Sequence, residues 1–320
     1  MPTSQVFRFD DPHHFQSTIR AATCEVLANS RGGFRAELTR IDLDTLWMQN
    51  LRSRDPHILH FVSNTDRLAV LFLADANHAP IRLNGADFSP AELMFYDLGA
   101  ANHACFEKST GLASMSLTPR DLAAAAHAIV GKDQVTEPKT CRLRPRPALL
   151  GRLRTLHKEA CRLARDTPAA LSDPATAKAL DRELVQALVS CVCRVPSKEL
   201  RPLGSHHEVI ARFEDFLATR EYEPVYLAEI CAAIGVSERT LRGCCQEHLG
   251  MGPMHYLWLR RMHLAHRSLL AADPALKSVT EIATAHGFWE LGRFSVEYRS
   301  IFGEAPSATL KRSCPVPKTH

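Results

Sequence analysis

The stretch Leu227-Ala-Glu-Ile-Cys-Ala-Ala-Ile-Gly-Val-Ser-Glu-Arg-Thr-Leu-Arg-Gly-Cys-Cys-Gln-Glu-His248 decides how this chain is read. Leu227–Ile234 sets apolar residues at helical spacing and stops at Gly235-Val236. Ser237 is an N-cap residue for a second helix, Glu238–His248, which ends at Leu249-Gly250. Helix, glycine-bearing turn, helix is the unit whose second helix can enter a DNA major groove. One such match is a weak signal, but here the pattern repeats. Ser278-Val-Thr-Glu281 is a capping box for a short helix with Ile282 and Ala283, Gly287-Phe288 makes the turn, and Glu290–Phe302 forms the next helix. Ile230 precedes Ile282 by 52 residues, Gly235 precedes Gly287 by 52 and Leu241 precedes Phe294 by 53, so the register is held across the repeat.

Between the two units runs one helical pattern, Pro253–Ala272, with proline in its first turn and Asp273-Pro274 beyond its end. Leu257, Trp258, Met262, Ala265 and Leu269 are expected to pack onto both units. His263 and His266 are assigned to the exposed side of this linker helix, with no third ligand nearby. Upstream, Ser205-His-His-Glu208 is a capping box leading into Val209, Ile210, Phe213, Phe216 and Leu217.

The segment 140–204 is expected to be a helical connector. Leu149, Leu153, Leu156, Ala160 and Leu163 lie at helical spacing, and Asp173-Pro174 opens a helix with Leu180, Leu184, Leu188 and Cys191. Such helices suit a spacer or a dimerisation surface. Proline-bearing breaks flank them at 136–147 and 194–204.

The first third reads as strands. Phe34, Ala36 and Leu38 alternate with polar residues, and His57–Val62, Leu68–Ala74, Leu93–Tyr96 and Ala113–Leu117 are rich in strand formers. Asn84-Gly85, between two alternating runs, is a hairpin turn. Short strands without intervening helices imply a sandwich or barrel, the jelly roll among them. Thr118-Pro119-Arg-Asp121 then starts a helix.

Composition narrows the class. The 320 residues are 45% hydrophobic and 23% charged, which excludes a disordered chain. No apolar run approaches the ~20 residues of a membrane helix and no export signal is visible, so a cytoplasmic location with reduced thiols is expected. The net charge of +4 is unevenly spread. Residues 1–139 hold 13 Lys/Arg against 16 Asp/Glu, residues 140–204 hold 13 against 6, and residues 205–320 hold 13 against 13. DNA binding must therefore rest on where the charges stand, because bulk basicity does not supply it.

Ile282-Ala-Thr-Ala-His-Gly-Phe288, then Phe294, Tyr298 and Phe302-Gly-Glu-Ala-Pro306-Ser, resemble the AraC/XylS-type bacterial transcription regulators. The upstream unit and the linker helix extend the resemblance over about residues 209–310. It implies an α+β chain with three parts: a β-rich, cupin-like (jelly-roll) sensory or dimerisation domain (1–139), the helical connector (140–204), and an all-α DNA-binding domain with two helix-turn-helix units (205–315). The implied partners are double-stranded promoter DNA, RNA polymerase, a small-molecule effector at the N-terminal domain and a second copy of the chain. Activation is the commoner outcome in that family.

Major-groove reading needs donors near the start of each second helix. Arg239 and Arg242 stand there, three apart on one face, and by resemblance occupy base-contacting positions. Ser237, Thr240 and Gln246 are candidate backbone contacts. In the second unit Leu291, Gly292, Arg293 and Val296 are the corresponding residues. Gly243 and Val296 depart from the family pattern, in which arginine is common at both places. Glu290, Leu291 and Gly292 open the second reading helix and Arg293 is its only cation before Arg299, so the second unit is expected to read bases less directly.

Two other classes compete: a protein-interaction module using the same helices, and a cupin-type metal enzyme. For the enzyme, His57, His60 and His103 are the available imidazoles, but no His-x-His is followed by glutamate. There is also no P-loop and no Gly-x-Ser-x-Gly. No catalytic residue, metal ligand or cofactor is expected. Cys231 and Cys245 fall on core positions, and Cys191 and Cys193, two apart on a helix, point in different directions.

Overall fold

The computed structural model describes residues 2–78, 80–131, 140–193, 205–220 and 225–312. The N-terminal strands are β1 (Thr3–Phe9), β2 (Ala22–Ala28), β3 (Ala36–Asp42), β4 (Trp47–Ser53), β5 (His57–Ser63), β6 (Leu68–Leu73), β7 (Ile81–Leu83), β8 (Ala86–Phe88), β9 (Leu93–Tyr96), β10 (Ala101–Phe106), β11 (Thr110–Leu117) and β12 (Cys141–Leu143). A short helix, α1 (Pro12–Thr18), interrupts them, and α2 (Pro119–Val130), α3 (Pro147–Asp166), α4 (Pro168–Ser172) and α5 (Pro174–Cys193) follow.

The strands form two antiparallel sheets, one of seven in the order β1-β3-β4-β11-β6-β9-β12 and one of five in the order β2-β5-β10-β7-β8. They face each other as a jelly-roll-type sandwich. Its interior takes alternate residues of each strand: Leu59 and Phe61 from β5 meet Leu51, Leu71 and Leu112 from the larger sheet. The remaining residues of β5 and β10, among them His60, His103 and Cys105, point out of the sandwich. At the β7–β8 turn Asn84 and Gly85 take φ of 50° and 79°, the left-handed pair that the hairpin cue implies. β1, β2 and α1 lie before the first strand expected from the sequence. β2 carries polar and small residues that dilute the alternation, and β1 gains its order by pairing with β3 from Thr3↔Asp42 to Phe9↔Ala36.

Segment 140–204 does not stand free as a connector. β12 extends the larger sheet by pairing with β9. α3 and α5 cover the outer face of that sheet, where Leu150, Leu153, Leu184 and Leu188 join Ile41, Met48, Val70 and Phe72 in a second core. Their apolar stripes are too wide to leave in water. Thr118 caps α2 by accepting from the Asp121 N–H at 3.1 Å, and Asp173 accepts from the Thr176 N–H at 2.8 Å ahead of α5. The break at 194–204 lies outside the described residues.

The C-terminal helices are α6 (Ser205–Ala218), α7 (Leu227–Ile234), α8 (Glu238–Leu249), α9 (Pro253–Ala271), α10 (Val279–Ala285), α11 (Leu291–Phe302) and α12 (Pro306–Arg312). Ile210, Phe213, Ile230, Ile234, Leu241, Cys244, Cys245 and Leu249 close the first unit's core. Phe294 and Tyr298 of α11 centre the second. Leu257, Met262, Ala265 and Leu269 of α9 are buried between the units, and the half-buried Trp258 donates its indole N–H to Glu297 at 3.2 Å.

Candidate nucleic-acid interface

Each unit turns as its sequence dictates. Gly235 ends α7 at φ 70°, where a side chain would be strained, and the Val236 N–H returns to the Cys231 carbonyl at 3.1 Å. Ser237 Oγ accepts from the Thr240 N–H at 3.1 Å and also meets Thr240 Oγ1 at 2.9 Å, so both hydroxyls are engaged in starting α8. In the second unit the capping box is complete: Glu281 Oε2 accepts from the Ser278 N–H at 2.7 Å and Ser278 Oγ accepts from the Glu281 N–H at 3.2 Å.

The outer row of α8 consists of Glu238, Arg239, Arg242, Gly243 and Gln246, all exposed. Among the described residues Arg239 has no ion-pair or hydrogen-bond partner, and its guanidinium is free to meet a ligand. Arg242 leans on Glu238, one helical turn back, at 3.4 Å. The Gln246 side chain turns toward the C-terminal end, donating to the Gly250 carbonyl at 3.2 Å, while the Gln246 main-chain carbonyl accepts from Arg82 of β7 at 3.2 Å. Gln246 is thus occupied at the junction with the sandwich.

On α11 the half-buried Leu291 packs into the core, Gly292 is exposed, and Arg293 is held by Glu297 at 2.8 Å. Val296 is 71% exposed. Sequence reasoning missed Trp289, which is 77% exposed in the turn before α11. A tryptophan this open to water, just before the second reading helix, is the signal that the motif alone did not give. The outer surface of the second unit thus presents Trp289, Gly292, Val296 and two arginines, Arg293 paired with Glu297 and the exposed Arg299 beside Val296.

The cysteines of the first unit lie in its core. Burial pushes the Cys245 thiol up to about 12, and Cys191 on α5 likewise to about 12, so neither is a thiolate at neutral pH.

The face of α9 assigned to solvent is covered by the sandwich. His263 Nε2 meets the Ala28 carbonyl of β2 at 3.1 Å, and His266 Nε2 donates to Asp11 Oδ2 at 2.8 Å. Arg260 lies 3.8 Å from Glu25 and 3.4 Å from Glu214. Residues 260, 263 and 266 share one side of the helix, and polar periodicity marks that side without revealing what covers it. Further contacts bind both units to the sandwich: the Gly32 N–H donates to the Ser300 carbonyl at 2.9 Å, and Cys105 Sγ lies 3.0 Å from the His248 carbonyl.

The Helix-turn-helix domain family matches residues 230–312. The "Probable thc operon regulatory protein" of Rhodococcus erythropolis is 42% identical over 97 residues, 30% of this chain and 29% of that protein. The "XylDLEGF operon transcriptional activator 2" of Pseudomonas putida is 33% identical over 133 residues, which make up 42% of this chain and 81% of that protein. The chain belongs to the AraC/XylS family of transcription regulators. A similar solved structure, the AraC-like transcriptional activator CuxR, has a TM-score of 0.42 and 17% identity, covering 83% of this chain and 96% of that one. The sequence match with the Rhodococcus protein takes in less than a third of its length.

For an AraC/XylS chain the useful contrast is between the two outer rows. One offers an unpaired arginine at the start of its reading helix; the other offers an indole and a neutralised arginine there, and its exposed Arg299 stands about two turns further on. No helix among the described residues is long and apolar enough to cross a membrane.

Proposed function

We propose that this chain is a sequence-specific transcription activator whose α8 and α11 enter adjacent major grooves on one face of promoter DNA. The observation that carries this reading is the pair of capped units joined by the 19-residue α9. At ~1.5 Å per residue α9 is about 28 Å long, close to the ~34 Å advance of one DNA turn. Arg239 reads guanine O6 and N7, with Arg242 beside it, while Ser237 and Thr240 contribute backbone positioning and Gln246 reaches phosphate only by releasing the Gly250 carbonyl. Val296 suits a thymine methyl and Gly292 a close backbone approach, with Arg293 on phosphate, while Leu291 steadies the helix start from the core. Contact with RNA polymerase follows from the activator role.

The N-terminal sandwich is the regulatory part. Its interior holds a cavity of about 30 Å³, lined by Leu51, Leu59, Phe61, Leu71, Leu112 and Gln49. A small, mostly apolar effector would lie against these side chains, while the Gln49 amide is held by the Arg20 backbone, accepting from its N–H at 2.9 Å and donating to its carbonyl at 2.7 Å.

The test is footprinting and affinity on the native operator and on one carrying an extra ~5 bp, half a turn, between the two contacted segments. Two protected segments about 10 bp apart, and a loss of at least tenfold on insertion, are expected. An unchanged footprint and affinity would leave one reading unit only. A complex insensitive to salt would point instead to a protein-interaction module.

A further inference from the structure

β5 and β10 pair so that His60 stands directly opposite His103, and the two rings stack with centroids 4.6 Å apart. Both belong to the outward-facing set of the smaller sheet, away from the sandwich interior. α6 of the DNA-binding domain lies over them and brings Glu214, which is 3% exposed, to 3.5 Å from His103 Nε2. One ligand atom from each of the three residues lies within 4.8 Å of the other two. His60 Nε2, His103 Nε2 and Glu214 Oε1 are all buried without a hydrogen-bond partner. Three unsatisfied polar atoms converging on one point are costly in a folded core, and a single cation satisfies all three.

We propose that His60, His103 and Glu214 form an inter-domain site for a divalent transition-metal ion of the zinc class, tying the sandwich to the first helix-turn-helix unit. Two imidazole nitrogens and one carboxylate oxygen suit zinc, iron, cobalt or nickel, and disfavour calcium and magnesium, which take oxygen ligands. In a tetrahedral zinc site the ligand atoms sit ~3.4 Å apart, so modest side-chain rotation closes the observed spacing. Glu214 binds through Oε1, because Arg260 holds Oε2 at 3.4 Å, and Glu25 near Arg260 offsets that arginine's charge. The three ligands come from two domains and lie beneath α6. The ion therefore acts as a staple, and its loading sets how firmly the sandwich holds the first unit.

The full chain, stripped with a chelator and dialysed, is titrated with Co²⁺ and Zn²⁺. The expected result is one equivalent bound, visible absorption from cobalt held by nitrogen and oxygen, and a melting temperature that rises with metal concentration. His60→Gln and Glu214→Gln each weaken binding at least tenfold, whereas His14→Gln, at an exposed position, leaves it unchanged. Should Glu214→Gln fail to fold, His60→Gln carries the test, because its ring is the least buried of the three and circular dichroism reports its fold. Absence of binding at micromolar metal overturns the proposal. So does binding that survives His60→Gln, or a sulfur-to-cobalt charge-transfer band that assigns the metal to the cysteines. None of these outcomes depends on the DNA-binding reading.

Discussion

Asp11 and His266 lie 255 residues apart in sequence and share a buried hydrogen bond of 2.8 Å. Asp11 does two things at once. Its Oδ1 caps α1 by accepting from the His13 N–H at 2.8 Å, and its Oδ2 accepts from His266 of α9. His266 Nδ1 meets the Tyr298 hydroxyl of α11 at 2.6 Å, and that hydroxyl donates to Thr309 Oγ1 of α12 at 2.8 Å. One carboxylate thus connects the sandwich, the linker helix and the second unit. Burial raises the Asp11 pKa, but the His266 bond and charge and the His13 N–H outweigh it and hold the carboxyl well below the usual range.

Asp11→Asn and His266→Gln should each cost about 3–5 kcal/mol of unfolding free energy, because each leaves a buried polar partner exposed to nothing but protein. Urea melts of both single variants and the double variant measure the coupling. A coupling below ~0.5 kcal/mol would mean that the two residues act independently.

Arg239→Ala should lower affinity for the specific site by about 1–3 kcal/mol and barely alter binding to scrambled DNA. Arg242→Ala should lose less, since Glu238 already engages that side chain. Titrations at one fixed salt concentration decide the matter, and equal losses on both DNAs would move Arg239 to the phosphate contacts.

Gly85→Ala should loosen the sandwich from α8. A Cβ there would stand 2.5 Å from His248 Nε2, and φ at Gly85 is 79°, a conformation that costs a side chain about 1–3 kcal/mol. In a His248→Ala background the collision disappears and only the backbone strain remains. Denaturation of the four proteins separates the two parts, and an identical penalty in both backgrounds would rule the collision out.

Acidification should destabilise the chain starting near pH 6.5. Burial pushes His263 down to about 3 and both His57 and His157 down to about 4. The unfolded chain then binds more protons than the folded one, so the stability present above pH 6.5 is lost as pH falls toward those values. At pH 5.5 each histidine costs about 1 kcal/mol. Asp11 acts in the same direction, but only below about pH 4, where an unfolded aspartate protonates. Melting temperatures from pH 7.5 to 5 provide the check, and a flat profile would contradict the buried neutral rings.

The helix-turn-helix repeat was legible because its signals are local: Gly235, Ser237, Ser278 and Glu281 each fix a turn or cap within four residues of themselves. The hairpin at Asn84-Gly85 was legible for the same reason. The covered side of α9 was not. Arg260, His263 and His266 look like a wet face from their chemistry, and only the fold brings Glu214, Ala28 and Asp11 against them. His60 and His103 share that fate, since strand register sets them opposite each other and a third residue arrives from another domain. Trp289 was passed over because the motif defines the reading helix and the indole precedes it.

The sandwich grips α9 directly, and α9 is a single unbroken helix packed between both reading units. A stiff rod held in this way transmits any shift at one end to the other. The two reading helices therefore travel with one rod, and a displacement of α9 that turns α8 also turns α11.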